Sequence, residues 1–293
     1  MTDQAITGET IGALHRALRR HLREAGVETP DLDARLLLCD TFGLDAAGLI
    51  LREGEAADPA KAALLSQRTA RRLAGEPVGR ILGRRFFFEH EFQLSRETLE
   101  PRPDTEILVE LAAEAFRAKG RDALLFADVG VGTGAIAVSL LALFPLSRCV
   151  AIDLSEGALQ TAWSNARAAG VADRFLPLRG DYLASLSPGS LDAVVSNPPY
   201  IPSRDIETLD RGVREHDPRL ALDGGVDGLD AYRALADGAR RCLAPGGDLL
   251  LEIGIGQESD VRILNEAGGF SWRRTSADLS GTPRALWFQG DVL

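Results

Sequence analysis

Cysteine is scarce in this 293-residue chain: Cys39, Cys149 and Cys242 are all there is. They are odd in number and far apart, which excludes a disulfide framework and any zinc-ligand spacing and points to a reduced, cytoplasmic protein. No apolar run approaches the length of a bilayer crossing, and the opening MTDQAITGETIGALHRALRR lacks the pattern of a signal peptide. Internal repeats and low-complexity stretches are absent too. Basic charge is in deficit, with 33 Lys and Arg against 43 Asp and Glu, a net charge of −10. The deficit is uneven. Residues 1–86 hold 13 basic and 12 acidic residues, which leaves 20 against 31 for the remainder. A surface built to neutralise nucleic-acid phosphates is not expected from so acidic a second part.

What is present is apolar material for a core. Hydrophobic residues make up 45% of the chain, enough for one large domain or a medium one with a smaller companion. The first part reads as helical. In TIGALHRALRRHLREAG, Ile11, Leu14, Leu18 and Leu22 recur at helical spacing, with arginines on the other face and Gly26 as the stop. TPDLDARLLLCDTFG has Thr29 as N-cap, Pro30 at the first helical position and Gly43 at the end; another helix starts at Asp58-Pro59 and stops near Gly75.

The aromatic stretch FFFEHEFQLSRETLE, residues 86–100, alternates in part and predicts a hairpin between two domains. Strand candidates at 123–130, 148–154, 174–180, 191–197 and 247–254 then alternate with helices near 135–143, 156–169 and 229–243. Such alternation implies parallel strands covered on both faces by crossover helices. The tail FSWRRTSADLSGTPRALWFQG reads as two strands joined by a polar turn at an antiparallel edge. The expected fold class is therefore α/β: a Rossmann-like sheet with an antiparallel C-terminal edge, behind a small N-terminal helical domain. The expected domains are 1–85 (helical), 86–110 (hairpin and linker) and 111–293 (catalytic).

Three strand ends carry polar signals. ADVGVGTGAIA puts Gly130, Gly132 and Gly134, with Val131 and Thr133 between them, at the first strand-to-helix corner. Glycines there permit a tight turn and close approach of a ligand to the backbone. The spacing is G-x-G-x-G, which is neither the dinucleotide fingerprint nor a P-loop. A glycine corner alone is as often merely structural. The second strand ends at Asp153, placed to accept from two ribose hydroxyls or, more plainly, to cap a helix beside Ser155. After the third strand come Asp181 and Tyr182, an acceptor and an aromatic face for adenine, or an ordinary turn. Together they describe a nucleoside site at the carboxyl edge of the sheet. A nicotinamide nucleotide or S-adenosylmethionine would each suit it, although no pyrophosphate fingerprint is present.

The fourth strand end decides between them. In VVSNPPYIP, Asn197 is followed by two prolines that force the chain out of the sheet. An amide or aryl amine is a poor nucleophile because its lone pair is delocalised. The Asn197 side-chain oxygen and the Pro198 carbonyl can each accept one N–H of a planar NH₂ group and aim its nitrogen at a methyl donor. Pro198 and Pro199 stiffen those acceptors, and Tyr200 can stack on the flat group. The bland alternative is a proline turn that ends a strand.

At this point the sequence resembles the amino-methyltransferases with an (N/D)PP(Y/F/W) motif, and more closely the PrmC (HemK) family of release-factor glutamine methyltransferases. GEPVGRILGRRFFF (75–88), LEPRPDTEILVE (99–110), DVGVGTGAIA (128–137), SNPPYIP (196–202) and EHDPRLALDGGVDGLDAYR (215–233) look like that family's segments, in order. PRPDTE is the most discriminating, because general adenine methyltransferases lack it. The resemblance implies methyl transfer from S-adenosylmethionine, with S-adenosylhomocysteine as product, to the glutamine of the GGQ motif in class I peptide release factors. It implies cofactor contacts at Gly130, Val131, Gly132, Thr133, Gly134, Asp153, Tyr182 and Asn197, to which the residue reading adds Asp181. Asn197, Pro198, Pro199 and Tyr200 would hold the substrate glutamine. Tyr182 departs from the tryptophan often found there but keeps an aromatic face, and EHDP is less usual than EP. The helical domain would grip the release factor. No metal, membrane or direct nucleic-acid partner is expected, and a monomer is. The alternatives are a ribosomal-protein glutamine methyltransferase and a nucleic-acid amino-methyltransferase; the second would need a basic groove and base flipping. Arg102, Pro103, Asp104 and Glu106 read as a helix start, with Pro103 at its first position and no catalytic role.

Overall fold

A computed structural model describes residues 9–291; the first eight residues of the opening read above for a signal peptide lie outside that range. The described residues up to Gly83 form one compact unit, and those from Arg84 onward form a second. Among the described residues, no helix is long and apolar enough to cross a membrane.

The first unit contains α1 (Ile11–Glu24), α2 (Pro30–Phe42), α3 (Ala46–Leu51), α4 (Pro59–Leu73) and α5 (Val78–Leu82). Ile11, Leu14, Leu18 and Leu22 are all buried, as their spacing requires, and pack with Leu37, Leu38 and Leu65 in one apolar core. Asp58 caps α4 by accepting from the backbone N–H groups of Ala60 and Lys61. Thr29 stands at the N-cap of α2, yet its hydroxyl donates to Asp33 Oδ1 at 2.9 Å instead of capping the backbone. Helices α3 and α5 have six and five residues, too few for periodicity to reveal.

The second unit opens with the hairpin β1 (Arg84–Phe87) and β2 (His90–Gln93), then α6 (Thr105–Ala118). There follow β3 (Leu125–Val129), α7 (Ala135–Leu143), β4 (Arg148–Asp153), α8 (Glu156–Ala168), β5 (Phe175–Arg179), β6 (Leu191–Ser196) and α9 (Arg211–His216). The chain closes with α10 (Asp230–Cys242), β7 (Leu243–Glu252), α11 (Glu258–Ala267), β8 (Phe270–Ala277) and β9 (Pro283–Gly290).

Seven strands form one sheet in the order β5-β4-β3-β6-β7-β9-β8, parallel from β5 to β7. Strand β9 runs antiparallel to both its neighbours, so the tail hairpin folds back and leaves β8 at the edge. Side-chain alternation feeds two cores. On β6, Ala193 and Val195 face one and Val194 the other; on β7, Leu250 faces the first and Leu249 and Leu251 the second. Helices α6, α7 and α8 cover one face and α10 and α11 the other.

Two sequence expectations need correction. Helix α6 runs unbroken through residues 110 and 111, so no domain starts there. Its Phe116 shares a core with Phe87 and Phe92 of the hairpin, which ties that hairpin to the sheet. The helix begins at Thr105 behind Asp104, not at Pro103, because residues 102–106 first make tighter turns (Thr105 N to Arg102 O, 3.0 Å). Residues 203–218 contain α9, capped by Asp210, which accepts from the Gly212 N–H at 2.7 Å.

Phe116 is fully buried, its ring centroid 5.2 Å from that of Phe126 and 5.3 Å from that of Phe144. Phe116→Ala is expected to cost about 3–5 kcal/mol of stability, read as a lower urea midpoint. A loss near zero would mean that this aromatic cluster does not hold α6 to the sheet.

Candidate active site

Parallel pairing brings the four strand ends to one edge. Asp128 on β3 lies opposite Ala151 on β4 and Val195 on β6, and Asp153 lies opposite Arg179 on β5. The residues that follow these pairs line a cavity of about 460 Å³, within the usual range for small-molecule sites. Of the expected site residues, Gly130, Val131, Gly132, Thr133, Asp153, Asp181, Tyr182, Asn197, Pro198 and Pro199 are in its wall.

Backbone bonds fold the glycine corner. The N–H groups of Gly130 and Val131 both donate to the Ile152 carbonyl at 2.9 Å, and Gly134 N donates to Val131 O at 2.7 Å. Gly132 has φ +52° and donates its N–H to Asp153 Oδ2 at 3.0 Å. Asp153 Oδ1 meanwhile accepts from Ser155 N at 2.9 Å. Each carboxylate oxygen has a second lone pair, so the carboxylate can brace both turns and still accept from a diol in the cavity. The helix-cap and ligand readings of Asp153 are therefore compatible. Ser155 supplies its own cap, accepting from Ala158 N.

Two expected residues fall outside the cavity wall. Gly134 caps α7 at φ +82°, and a Cβ there would stand 3.2 Å from Ala162 Cβ; its smallness serves the packing of α7 on α8. Tyr200 packs with the second core, where a Cβ on Gly254 would stand 2.9 Å from Tyr200 Cδ2. The amide of Asn197 and the phenol of Tyr200 do not line one cavity. Burial raises the Tyr200 hydroxyl to about 12, with Glu252 adding to the rise. Tyr182 has φ +45°, lines the cavity and packs on the second core, and burial also raises its phenol.

The Asn-Pro-Pro-Tyr corner is held from behind. Asn197 Nδ2 donates to Thr105 Oγ1 at 3.2 Å. Gln257 Nε2 donates to the Tyr200 carbonyl at 3.0 Å, while Gln257 Oε1 accepts from Gly254 N at 2.9 Å. Gly224 lies so close that a Cβ would stand 2.8 Å from the Pro199 carbonyl oxygen. The sequence reading missed Thr105, Glu252 and Gln257. Thr105 lies inside PRPDTE, Glu252 ends β7 and Gln257 closes the EIGIGQ turn that follows, where strand order alone points to a further strand end at the same edge.

The PRPDTE segment also reaches the cavity, through Pro101, Arg102 and Thr105. Arg102 pairs with the buried Asp217 at 2.6 Å, and Pro218, Arg219, Leu220 and Ala221 continue the wall. The unusual Asp-Pro of EHDP is thus an anchor for the cavity rim. No cluster of three or more His, Cys, Asp or Glu placed to hold a metal ion occurs among the described residues.

Two buried carboxyls lie behind this edge. Asp128 accepts from Ala137 N at 3.0 Å, and burial raises it to about 7. Glu252, 3% exposed at the end of β7, is also raised to about 7, chiefly by burial, while the polar side chains of Thr105 and Asn197 oppose that rise; its Oε2 is buried with no hydrogen-bond partner among the described residues.

The chain matches two family models: a PrmC N-terminal domain over residues 13–83 and a methyltransferase small domain over 103–226. It is 49% identical over 283 residues to the release factor glutamine methyltransferase of Bradyrhizobium diazoefficiens, covering 96% of this chain and 95% of that one. It is 43% identical to the protein of the same name from Moorella thermoacetica, covering 94% and 96%. A crystal structure of a methyltransferase from Pyrococcus furiosus shares the fold, with TM-score 0.53 and 17% identity, covering 78% of this chain and all of that one.

A carboxyl whose folded value lies near 7 binds its proton more tightly in the native state than in the unfolded chain, where about 4.3 is ordinary. Native stability from this group is present in acid and is lost as pH rises through about 7. Glu252→Gln mimics the protonated form, so it should melt above wild type at pH 8, with the gap closing toward pH 5. Thermal unfolding at the two values checks this, and an equal gap at both would contradict it.

Proposed function

The chain belongs to the release factor glutamine methyltransferases, and from that premise we propose that it methylates the side-chain amide nitrogen of the GGQ glutamine in class I peptide release factors. One observation carries the chemical part of this reading. Asn197 and Pro198 stand together in the cavity wall, with Asn197 Nδ2 committed to Thr105 and Oδ1 the other end of the same planar amide.

The cavity residues fit S-adenosylmethionine as donor. Asp153 has spare carboxylate lone pairs for a ribose diol, Tyr182 offers an aromatic wall, and the glycine corner allows close backbone approach. The start of α7 presents free backbone N–H groups of the kind that favour a carboxylate. When bound, S-adenosylmethionine supplies a methyl group made electrophilic by its sulfonium.

The chain's own part is to orient a weak nucleophile. Asn197 Oδ1 and the Pro198 carbonyl each accept one N–H of the glutamine carboxamide. Those bonds fix the plane of the NH₂ group and stabilise the positive charge that grows on nitrogen as its lone pair leaves conjugation. Because the prolines stiffen the backbone that carries the Pro198 carbonyl and Thr105 engages the Asn197 amide, little ordering entropy is lost. Tyr200, outside the donor cavity, bounds the approach of the glutamine. No basic side chain is needed, since the amide proton becomes acidic as methylation proceeds. We assign the helical unit to docking of the release factor, supported by its match to the PrmC N-terminal model, and the cytoplasm as compartment.

Purified protein with labelled S-adenosylmethionine should label an intact class I release factor and spare its GGQ Gln→Ala variant. Labelling of ribosomal protein, tRNA or duplex DNA with the release factor untouched would overturn the assignment. Asn197→Ala should lower kcat by about 10²–10³, as loss of a charge-stabilising partner does elsewhere, while donor affinity falls only a few-fold. Asp153→Ala should behave oppositely, weakening donor binding about tenfold or more in calorimetry through the loss of charged hydrogen bonds.

A further inference from the structure

Between β2 and α6, residues 94–104 form no helix or strand, yet Arg96, Glu97, Leu99 and Pro101 stand in the cavity wall. An irregular segment has no ladder to hold it, so its place beside the cavity depends on side chains. Helix α8 supplies two of them.

The root of the segment is held by Asn165 on α8, which is 2% exposed. Its Oδ1 accepts from Gln93 N at 2.9 Å, and its Nδ2 donates to Gln93 O at 3.1 Å. Nδ2 gives its second hydrogen to Thr133 O in the glycine corner, at 2.9 Å. One amide therefore stands in for a strand partner at the end of β2 and ties that end to the corner. Its direction is fixed, because a backbone N–H only donates and the two carbonyls only accept. A flipped amide would set donor against donor and acceptor against acceptor. Buried as it is, water cannot replace these bonds at little cost. One turn earlier on α8, Ala162 packs under Gly134, so the corner rests on this helix at two points.

Further along, the segment returns to the start of the same helix. Ser155 Oγ donates to Glu97 Oε2, and a Cβ at Gly157 would run into the Glu97 carboxyl. The carboxylate thus lies on the first turn of α8, where helix N–H groups favour negative charge. A turn closed by Ser95 N donating to Thr98 Oγ1 at 3.0 Å presents Glu97 there, with Thr98 fully buried.

We propose that Asn165 is a positioning residue for the methyl donor: by joining the end of β2 to the glycine corner, it seats residues 94–102 on α8 and presets the donor cavity. Thr133 and the segment then meet the donor with their backbone already in place, and binding loses less to ordering. Glu97 is the second and weaker pin, because its bond to Ser155 is exposed. The two side chains hold different ends of one segment.

The inference rests on the donor reading above, and its test separates the two. Asn165→Asp keeps the shape of the side chain but removes both N–H groups and sets a carboxylate against two carbonyls. In the full-length protein it should weaken S-adenosylmethionine binding about tenfold or more in calorimetry. With release factor as substrate, its kcat at saturating donor should stay within about threefold, because Asn165 bonds to Gln93 and Thr133 and not to the Asn-Pro-Pro-Tyr corner. Unchanged donor affinity, or a kcat that falls as far as the affinity, would overturn the proposal. Glu97→Ala changes an exposed side chain and is expected to fold whatever becomes of Asn165→Asp. It should weaken the donor about threefold, and no loss at all would also overturn the proposal. Added to Asn165→Asp it should cost less than about twofold more, since the segment is already unseated; losses that simply multiply would mean two independent sites and count against it. A wild type that binds the donor but leaves the release factor unlabelled would sink the functional reading alone, with the affinities still deciding this one. A wild type that binds no donor would overturn both.

Discussion

The parallel register of β3 with its two neighbours is the constraint from which everything else in the catalytic unit follows. Asp128 sits between Ala151 and Val195 across the sheet. The glycine corner, Asp153 and Asn197 therefore leave their strands at the same level and on the same edge. Had any of these strands run the other way, its terminal side chain would lie at the far end of the sheet, roughly 13–17 Å away at about 3.3 Å per residue. Among the described residues of the seven-stranded sheet, antiparallel pairing appears only beyond β7, where β9 and β8 complete the sheet without contributing to the cavity wall.

Given that edge, the second requirement is stiffness. Proline at 198 and 199 fixes φ but leaves the amide of Asn197 free to rotate, and the Tyr200 backbone could still swing. The fold supplies what proline cannot. Gln257 holds the Tyr200 carbonyl, Gly224 leaves no room beneath Pro199, and Thr105 takes the Asn197 N–H. The corner is braced by groups from three parts of the chain remote from it in sequence.

Bracing of this kind has a cost in stability. Glu252 and Asp128 are carboxyls taken out of water beside an active edge, and burial raises both to about 7. Apolar residues of similar size would hold the same space with less penalty. That polar groups occupy these positions is consistent with a site in which hydrogen-bond direction matters more than the last increment of folding energy.

The residues themselves announced much of this protein. Heptad-like leucines in α1, proline and aspartate at helix starts, alternating apolar strands, three glycines after a strand and an Asn-Pro-Pro-Tyr stop are local patterns, set by backbone sterics and side-chain periodicity within a few residues. They carried the α/β class, the strand ends and ten of the cavity residues. Other features depended on contacts between distant segments. Chain order alone could not show that β9 inserts beside β7, or that α6 crosses the expected domain boundary because Phe116 joins the hairpin's core. Nor could it show that Tyr200 leaves the cavity wall to pack on the second core, or that Thr105 takes the Asn197 N–H. Those facts depend on which buried polar and apolar groups become neighbours across the sheet, and a one-dimensional pattern holds no information about neighbours until the chain has folded.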